Sequence, residues 1–186
     1  VIPPEPVFLD RDGVINENRS DYVRRVSQWK PFPGVFTAVS RLCAASHPVI
    51  VVTNQSGIGR GFFSGEDLFQ IHSRMRALLE AEGGRFSGIY HCPHAPWDRC
   101  RCRKPETGMI EAARRDLVLS TGGWIAGDAA TDIELGVRAG LKTVMVLTGR
   151  GVSQLEKIRN NNGPMPDFVV DDLAGAVELI LSYSKV

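Results

Sequence analysis

Short apolar runs alternate with helical patterns along most of this chain, and that alternation constrains the fold more than any other feature. Runs at 7–9, 49–53, 89–91, 124–126, 143–147 and 168–170 read as buried strands. Pro33-Gly34 opens a helical pattern with Val35, Val39 and Leu42 on one face. Ser64 reads as an N-cap with Asp67 three residues on; Leu68, Ile71, Met75, Leu78 and Leu79 follow at helical spacing, and Gly83-Gly84 ends the pattern. Thr107 heads a third helix with Ile110, Ala113 and Leu117 facing inward, and further patterns lie at 133–139 and 172–181. Strands and helices in alternation imply an α/β fold: a Rossmann-like three-layer sandwich, its sheet mostly parallel, with helices on both faces. No repeat or linker interrupts the 186 residues, so one domain over 1–186 is expected.

In such sheets ligands sit at the carboxyl ends of the strands, and four of these ends carry chemistry. The first run closes on Asp10-Arg11-Asp12-Gly13: two carboxylates two residues apart, which project the same way from an extended chain, and a glycine that lets the backbone turn. One acid can attack phosphorus while the other handles a proton; alone, a D-x-D also serves metal-dependent glycosyltransferases. The second ends in Thr53-Asn54-Gln55-Ser56-Gly57, neutral donors and open N–H groups suited to phosphoryl oxygens, or simply a capped turn. Arg103-Lys104-Pro105 offers a bidentate clamp and a point charge, with Pro105 suited to the first turn of the helix that follows; an isolated basic pair would be solvated surface. Gly127-Asp128-Ala129-Ala130-Thr131-Asp132 adds acids at a fourth strand end. There Asp128 is placed as a Mg²⁺ ligand, and Asp132 either orients the site from behind or caps a helix.

Three of the four cysteines, Cys92, Cys100 and Cys102, crowd into residues 92–102 with His94 among them; Cys43 lies in an apolar helical pattern and reads as core. A disulfide within the cluster would leave an odd cysteine. Four N/S donors with no open position instead form a structural Zn²⁺ pattern. Because Cys102 adjoins Arg103 and Lys104, a metal there would pin the loop that aims both cations, without activating water.

The order acid pair, Thr, Lys, acid pair resembles the haloacid dehalogenase superfamily of phosphohydrolases over residues 7–139. The zinc loop running into Cys-x-Cys-Arg-Lys-Pro is similar to one subgroup of it, the D-glycero-D-manno-heptose 1,7-bisphosphate phosphatases and the histidinol-phosphate phosphatases. The first of these is favoured by Thr53-Asn54-Gln55-Ser56-Gly57 continuing to Arg60-Gly61, by Arg103 through Met109, and by the Asp10–Asn16 opening. Ala129 stands where some heptose phosphatases carry a lysine. The resemblance implies a haloacid dehalogenase-like sheet with no large cap domain, and a Mg²⁺-dependent removal of the C7 phosphate from heptose 1,7-bisphosphate through an aspartyl-phosphate. In that scheme Asp10 is the nucleophile and Asp12 the acid and base. Mg²⁺ is held by Asp10, the Asp12 main chain and Asp128; Thr53, Asn54 and Lys104 hold the phosphoryl oxygens; and Zn²⁺ sits on Cys92, His94, Cys100 and Cys102. It further implies a place in heptose supply for bacterial lipopolysaccharide.

Selectivity is then expected from loops. Residues 11–32 form a long polar excursion, and its Arg19, Ser20, Asp21 and Tyr22 are placed to meet the sugar; Gln55, Ser56 and Arg60 flank the second strand end, and Arg103 could take a second phosphate. Residues 160–166 read as an exposed turn. His47 and His72 read as bland, His72 on a helix surface or edge, and His91 as a weaker rival to His94. Three tryptophans form no stacking platform, and a net charge of +1 gives no argument for nucleic acid or an anionic membrane. No run is long enough to span a bilayer and the start lacks an export pattern, so a cytoplasmic monomer acting on a small sugar phosphate is expected. The competing readings are histidinol-phosphate phosphatase, a phospho-accepting signalling domain whose phospho-Asp persists, and a sugar-nucleotide glycosyltransferase. The last leaves the Thr, Lys and second acidic motif unexplained.

Overall fold

The computed structural model describes residues 4–183. Six parallel strands, β1 (Val7–Leu9), β2 (Val49–Asn54), β3 (Gly88–Cys92), β4 (Trp124–Gly127), β5 (Lys142–Val146) and β6 (Phe168–Val170), lie in the order β3-β2-β1-β4-β5-β6. The helices between them are α1 (Val35–Ala44), α2 (Gly65–Ala81), α3 (Gly108–Leu117), α4 (Ala130–Ala139), α5 (Gly151–Asn160) and α6 (Leu173–Tyr183).

Alternation along the strands sorts the core into layers. Val7 and Leu9 of β1, with Val49 and Val51 of β2, face α1, α2 and α6, where Val39, Leu42, Ile71, Met75, Leu79, Val177 and Ile180 are buried. Phe8, Ile50, Val52 and Ile125 face the other way, onto Met109, Ile110 and Ala113 of α3 and Leu135 of α4. A smaller cluster of Ile133, Met145, Leu155 and Ile158 seats α5 against α4 and β5. The Ser64 cap forms as expected: its Oγ accepts the Asp67 N–H at 3.1 Å, and the Asp67 carboxylate accepts the Ser64 N–H at 2.8 Å. Such caps are worth about 1 kcal/mol.

Two expectations change, and α5 adds a helix that the sequence periodicity does not mark. Pro105 lies outside α3, which begins only at Gly108, where the backbone closes onto the Arg101 carbonyl at 3.0 Å. Cys43 is half-buried at the margin of the core, its Sγ near the Arg85 main chain.

The strand order reverses direction beside β1, whose neighbours are β2 and β4. Crossovers leave to opposite sides of the sheet at such a switch point and open a crevice at the carboxyl ends. Asp10 follows β1 and Asp128 follows β4, so both acidic motifs border that crevice. No helix among the described residues is long and apolar enough to cross a membrane.

Candidate active site

A cavity of about 390 Å³ opens at the switch point, lined among others by Asp10, Asp12, Arg19, Tyr22, Thr53, Asn54, Ser56, Arg103 and Lys104. Asp10 is anchored to β4 by its N–H on the Ala126 carbonyl, 3.0 Å. Its Oδ1 accepts the Arg11 N–H at 2.7 Å and faces the Lys104 ammonium at 2.8 Å. Burial pushes the Asp10 carboxyl up to about 6; Lys104 opposes that shift, and the nearby Asp132 and Asp12 charges add to it.

Lys104 is 4 % exposed, and its ammonium sits among three oxygens. It reaches Asp10, Asp132 Oδ1 at 2.7 Å and the Val52 carbonyl at 3.1 Å. Burial would lower its pKa, but the two carboxylates outweigh burial and hold it above the ordinary lysine value. Asn54 secures the lysine by its backbone: Asn54 Oδ1 accepts the Lys104 N–H at 3.0 Å and Asn54 Nδ2 donates to the Lys104 carbonyl at 3.3 Å. The Asn54 amide therefore holds the Lys104 main chain, while Asn54 itself lines the cavity and keeps a second Nδ2 proton for a phosphoryl oxygen. Asp132 does both things the sequence allowed. It pairs with Lys104, and its Oδ2 accepts the Ala129 N–H at 3.1 Å, capping α4.

Asp12 sits in a dense fan of donors. Arg11 Nη2 donates to both its oxygens at 2.9 Å, Asn16 Nδ2 to Oδ1 at 2.8 Å and Gln55 Nε2 to Oδ2 at 2.9 Å. Burial alone would raise its pKa; Arg11 and these hydrogen bonds bring it below the ordinary range instead. Arg11 is 0 % exposed, and its Nη1 lies 3.4 Å from His72 Nε2. His72 is buried rather than superficial, because it fills the space behind this arginine. Burial, then Arg11, takes its pKa down to about 3, so the ring is neutral. Arginine can only donate, which leaves Nε2 as the acceptor. Gln55 also donates to Thr53 Oγ1 at 2.9 Å, leaving that hydroxyl proton free to point into the cavity.

One carboxylate oxygen from each of Asp10, Asp128 and Asp132 lies within 4.8 Å of the others. Asp128 is 0 % exposed and accepts from Asn18 Nδ2 at 2.6 Å and the Arg150 N–H at 2.8 Å. Burial, and then the Asp10 charge, raise its pKa. Two glycines make room around it: a Cβ on Gly13 would lie 2.0 Å from Asp128 Oδ2, and one on Gly149 2.4 Å away. Crowded, buried carboxylates in a glycine-walled space fit a hard divalent cation such as Mg²⁺.

Cys92, His94, Cys100 and Cys102 also converge, as the sequence anticipated. Their sulfurs stand 3.5 Å apart from Cys92 to Cys100 and from Cys100 to Cys102, with His94 Nδ1 3.2 Å from Cys102 Sγ. That spacing is far beyond a disulfide bond and suits four corners around one Zn²⁺. Burial pushes the Cys92 thiol up. Burial also acts to raise Cys100, but hydrogen bonds with Cys92 and Cys102 outweigh it and bring that thiol to about 7. The loop is tied to the turn after β2 by the Gln55 N–H on the Cys92 carbonyl and the Gly59 N–H on the Pro93 carbonyl, each 2.8 Å. A Cβ on Gly59 would lie 2.7 Å from that same Pro93 oxygen.

The remaining sequence-picked residues divide. Tyr22 lines the cavity, its hydroxyl 3.3 Å from Ser56 Oγ and accepting from Arg60 Nη1 at 2.8 Å. The Arg60 guanidinium lies 5.8 Å from the Tyr22 ring centroid, 5.0 Å from Phe62 and 5.8 Å from Trp97, outside the cavity wall. Arg19 lines the cavity but is closed on Asp21, and both Asp21 and the exposed Ser20 stand off the wall. Arg103 lines the wall with a buried, unpartnered Nη1. Sequence reading missed Arg11, Asn16, Asn18, Arg150, Gln154 and Lys157. The turn Thr148-Gly149-Arg150-Gly151 at the end of a fifth strand carried the same signal as the four that were noticed.

A family model described as HAD-hydrolase-like matches residues 101–176. The chain is 40 % identical over 176 residues to the D-glycero-beta-D-manno-heptose-1,7-bisphosphate 7-phosphatase of Pseudomonas putida, covering 94 % of this chain and 98 % of that one. It is 37 % identical over 177 residues to the D-glycero-alpha-D-manno-heptose-1,7-bisphosphate 7-phosphatase of Burkholderia mallei, covering 91 % and 93 %. Among solved structures, the D,D-heptose 1,7-bisphosphate phosphatase of B. bronchiseptica, complexed with magnesium and phosphate, superposes with a TM-score of 0.89 at 35 % identity. That match covers 96 % of this chain and 99 % of that one.

Proposed function

The chain belongs to the D-glycero-D-manno-heptose 1,7-bisphosphate 7-phosphatase family of HAD-like hydrolases, and on that premise we propose that it removes the C7 phosphate of a heptose 1,7-bisphosphate through an aspartyl-phosphate. It is a phosphoric monoester hydrolase. The observation that carries the finer reading is the meeting of Asp10, Lys104 and Asp132 within ion-pair distance at the β1–β4 switch point, with Thr53 beside them on the cavity wall.

Asp10 attacks phosphorus; the bond to the sugar oxygen breaks, and that oxygen leaves with a proton from Asp12. In the free site Asp12 is an anion. An incoming phosphate adds negative charge nearby and raises its proton affinity, which prepares it for the first step. As a carboxylate again, it takes the proton of the water that cleaves the acyl-phosphate. Lys104 and Thr53 hold the non-bridging oxygens as charge shifts between them. The Asp10 and Asp128 carboxylates and the Asp12 main-chain carbonyl would hold Mg²⁺, which supplies neutralisation between an anionic nucleophile and an anionic ester. The four N/S donors of 92–102 would hold Zn²⁺, positioning Arg103 and Lys104.

The test is phosphate release, with Mg²⁺, from α- and β-D-glycero-D-manno-heptose 1,7-bisphosphate beside histidinol phosphate. Turnover of a heptose ester well above histidinol phosphate supports the reading. The reverse preference would assign histidinol-phosphate phosphatase, and a stable phospho-protein with no release would assign a phospho-accepting domain. The two anomers appear among relatives of comparable identity, so both belong in the panel.

A further inference from the structure

The fourth wall of the cavity comes from α5, which neither the motifs nor the mechanism uses. Arg150, Gln154 and Lys157 all line it. These positions are spaced i, i+4 and i+7, one face of a helix. The adjoining side of α5 buries Leu155 and Ile158, and Gln154 Oε1 accepts the Ala130 N–H at 3.2 Å, so the face is held against the start of α4.

The charge along the cavity is lopsided. Asp10 and Asp12 are its two lining carboxylates, against Arg19, Arg103, Lys104, Arg150 and Lys157. Lys104 is committed to Asp10 and Asp132, and Arg19 to Asp21. Arg150 has a side chain 54 % exposed and touches Asp128 only at 3.4–3.5 Å. Arg103 keeps a buried Nη1 without a partner, and Lys157 pairs with no carboxylate among the described residues. One transferred phosphate occupies Lys104 and leaves this surplus unanswered.

We infer that Lys157 and Arg150 of α5, facing Arg103, form a distal anion subsite for the phosphate monoester that is not transferred. The inference rests on the bisphosphatase reading and adds where selectivity for the second phosphate resides. Lys157 is the specificity residue that can be tested cleanly, being exposed and clear of the acidic cluster; Arg150 also touches Asp128.

The experiment compares kcat and KM of Lys157→Gln and wild type on heptose 1,7-bisphosphate and on heptose 7-phosphate, with circular dichroism as the check on folding. Expected is a loss of about tenfold in kcat/KM on the bisphosphate, carried by KM, and a change under about twofold on the monophosphate. Arg150→Gln should lose activity on both substrates, and more on the bisphosphate. Equal losses on the two substrates, or an unchanged ratio in Lys157→Gln, would overturn the subsite. Failure of the wild type on both heptose esters would instead overturn the underlying reading, and the two failures are told apart by the wild-type arm.

Discussion

The transfer centre and the rim of the same cavity are built on opposite terms. At the centre, Asp10, Lys104, Asp128 and Asp132 are buried at strand ends, on the loop clamped to them or in the first turn of α4, and each has a named partner. At the rim, Arg60 and Tyr22 hold each other by a cation–π contact and a hydrogen bond, and Arg19 closes on Asp21, all on loops. Buried charges this close cannot be relaxed by solvent, so their geometry is fixed and their pKa values shift; exposed pairs contribute little and can change partner. On the proposed mechanism the bond-making groups all lie in the rigid part, and the loop residues of the rim are free to adapt to a ligand.

The sharpest way to break that contrast is Asp10→Asn. Turnover should fall on the order of 10⁴-fold or more, since Asp12, the other carboxylate lining the cavity, is held by Arg11, Asn16 and Gln55. The metal-free protein should at the same time become more stable at pH 7. A carboxyl pushed up to about 6 binds more protons folded than unfolded between its ordinary 3.8 and 6, so wild-type stability declines as pH rises through that window. Asparagine removes the decline, for a gain on the order of 1–3 kcal/mol above pH 6. Thermal melts at pH 4 and pH 7 without Mg²⁺ check this, and a lower melting point for the variant at pH 7 would mean that the site stores no such repulsion.

Cys102→Ser probes the link between the two regions, because Cys102 lies two residues before Lys104. Zinc content measured by mass spectrometry should fall, and kcat with it by about 10–100-fold as the lysine loses its fixed approach. Full activity in a zinc-free variant would show that the Asn54 clamp alone aims Lys104. Arg60→Ala should have the smallest effect: KM for the bisphosphate rising roughly two- to fivefold with kcat unchanged. A drop in kcat would move Arg60 from the rim into the centre.

What could be read from sequence follows the same division. Strand ends were legible because an apolar run followed by Asp, Thr or Gly marks both the element and its ligand-facing tip, and the four tips did converge around Asp10. α5 was not. It buries only Gly151, Leu155 and Ile158 in ten residues, and no side chain caps its start, so its periodicity is thin. With it went Arg150, Gln154 and Lys157. Arg11 was overlooked because an arginine between two aspartates looks solvated, and only the fold reveals that it is fully buried under Asp12 with His72 behind it. Asn54 has the right residue type in the right place, yet which partner its amide takes depends on how the Lys104 loop returns, some fifty residues later.

The main-chain ties between the turn after β2 and the cysteine loop carry a practical consequence. With Gln55 bonded to Cys92, Gly59 to Pro93 and Asn54 to Lys104, the stretches 53–63 and 92–105 form one inheritable cassette. A chimera that borrows the longer or shorter metal loop of a cousin would have to import its companion turn as well, or arrive with its lysine misdirected.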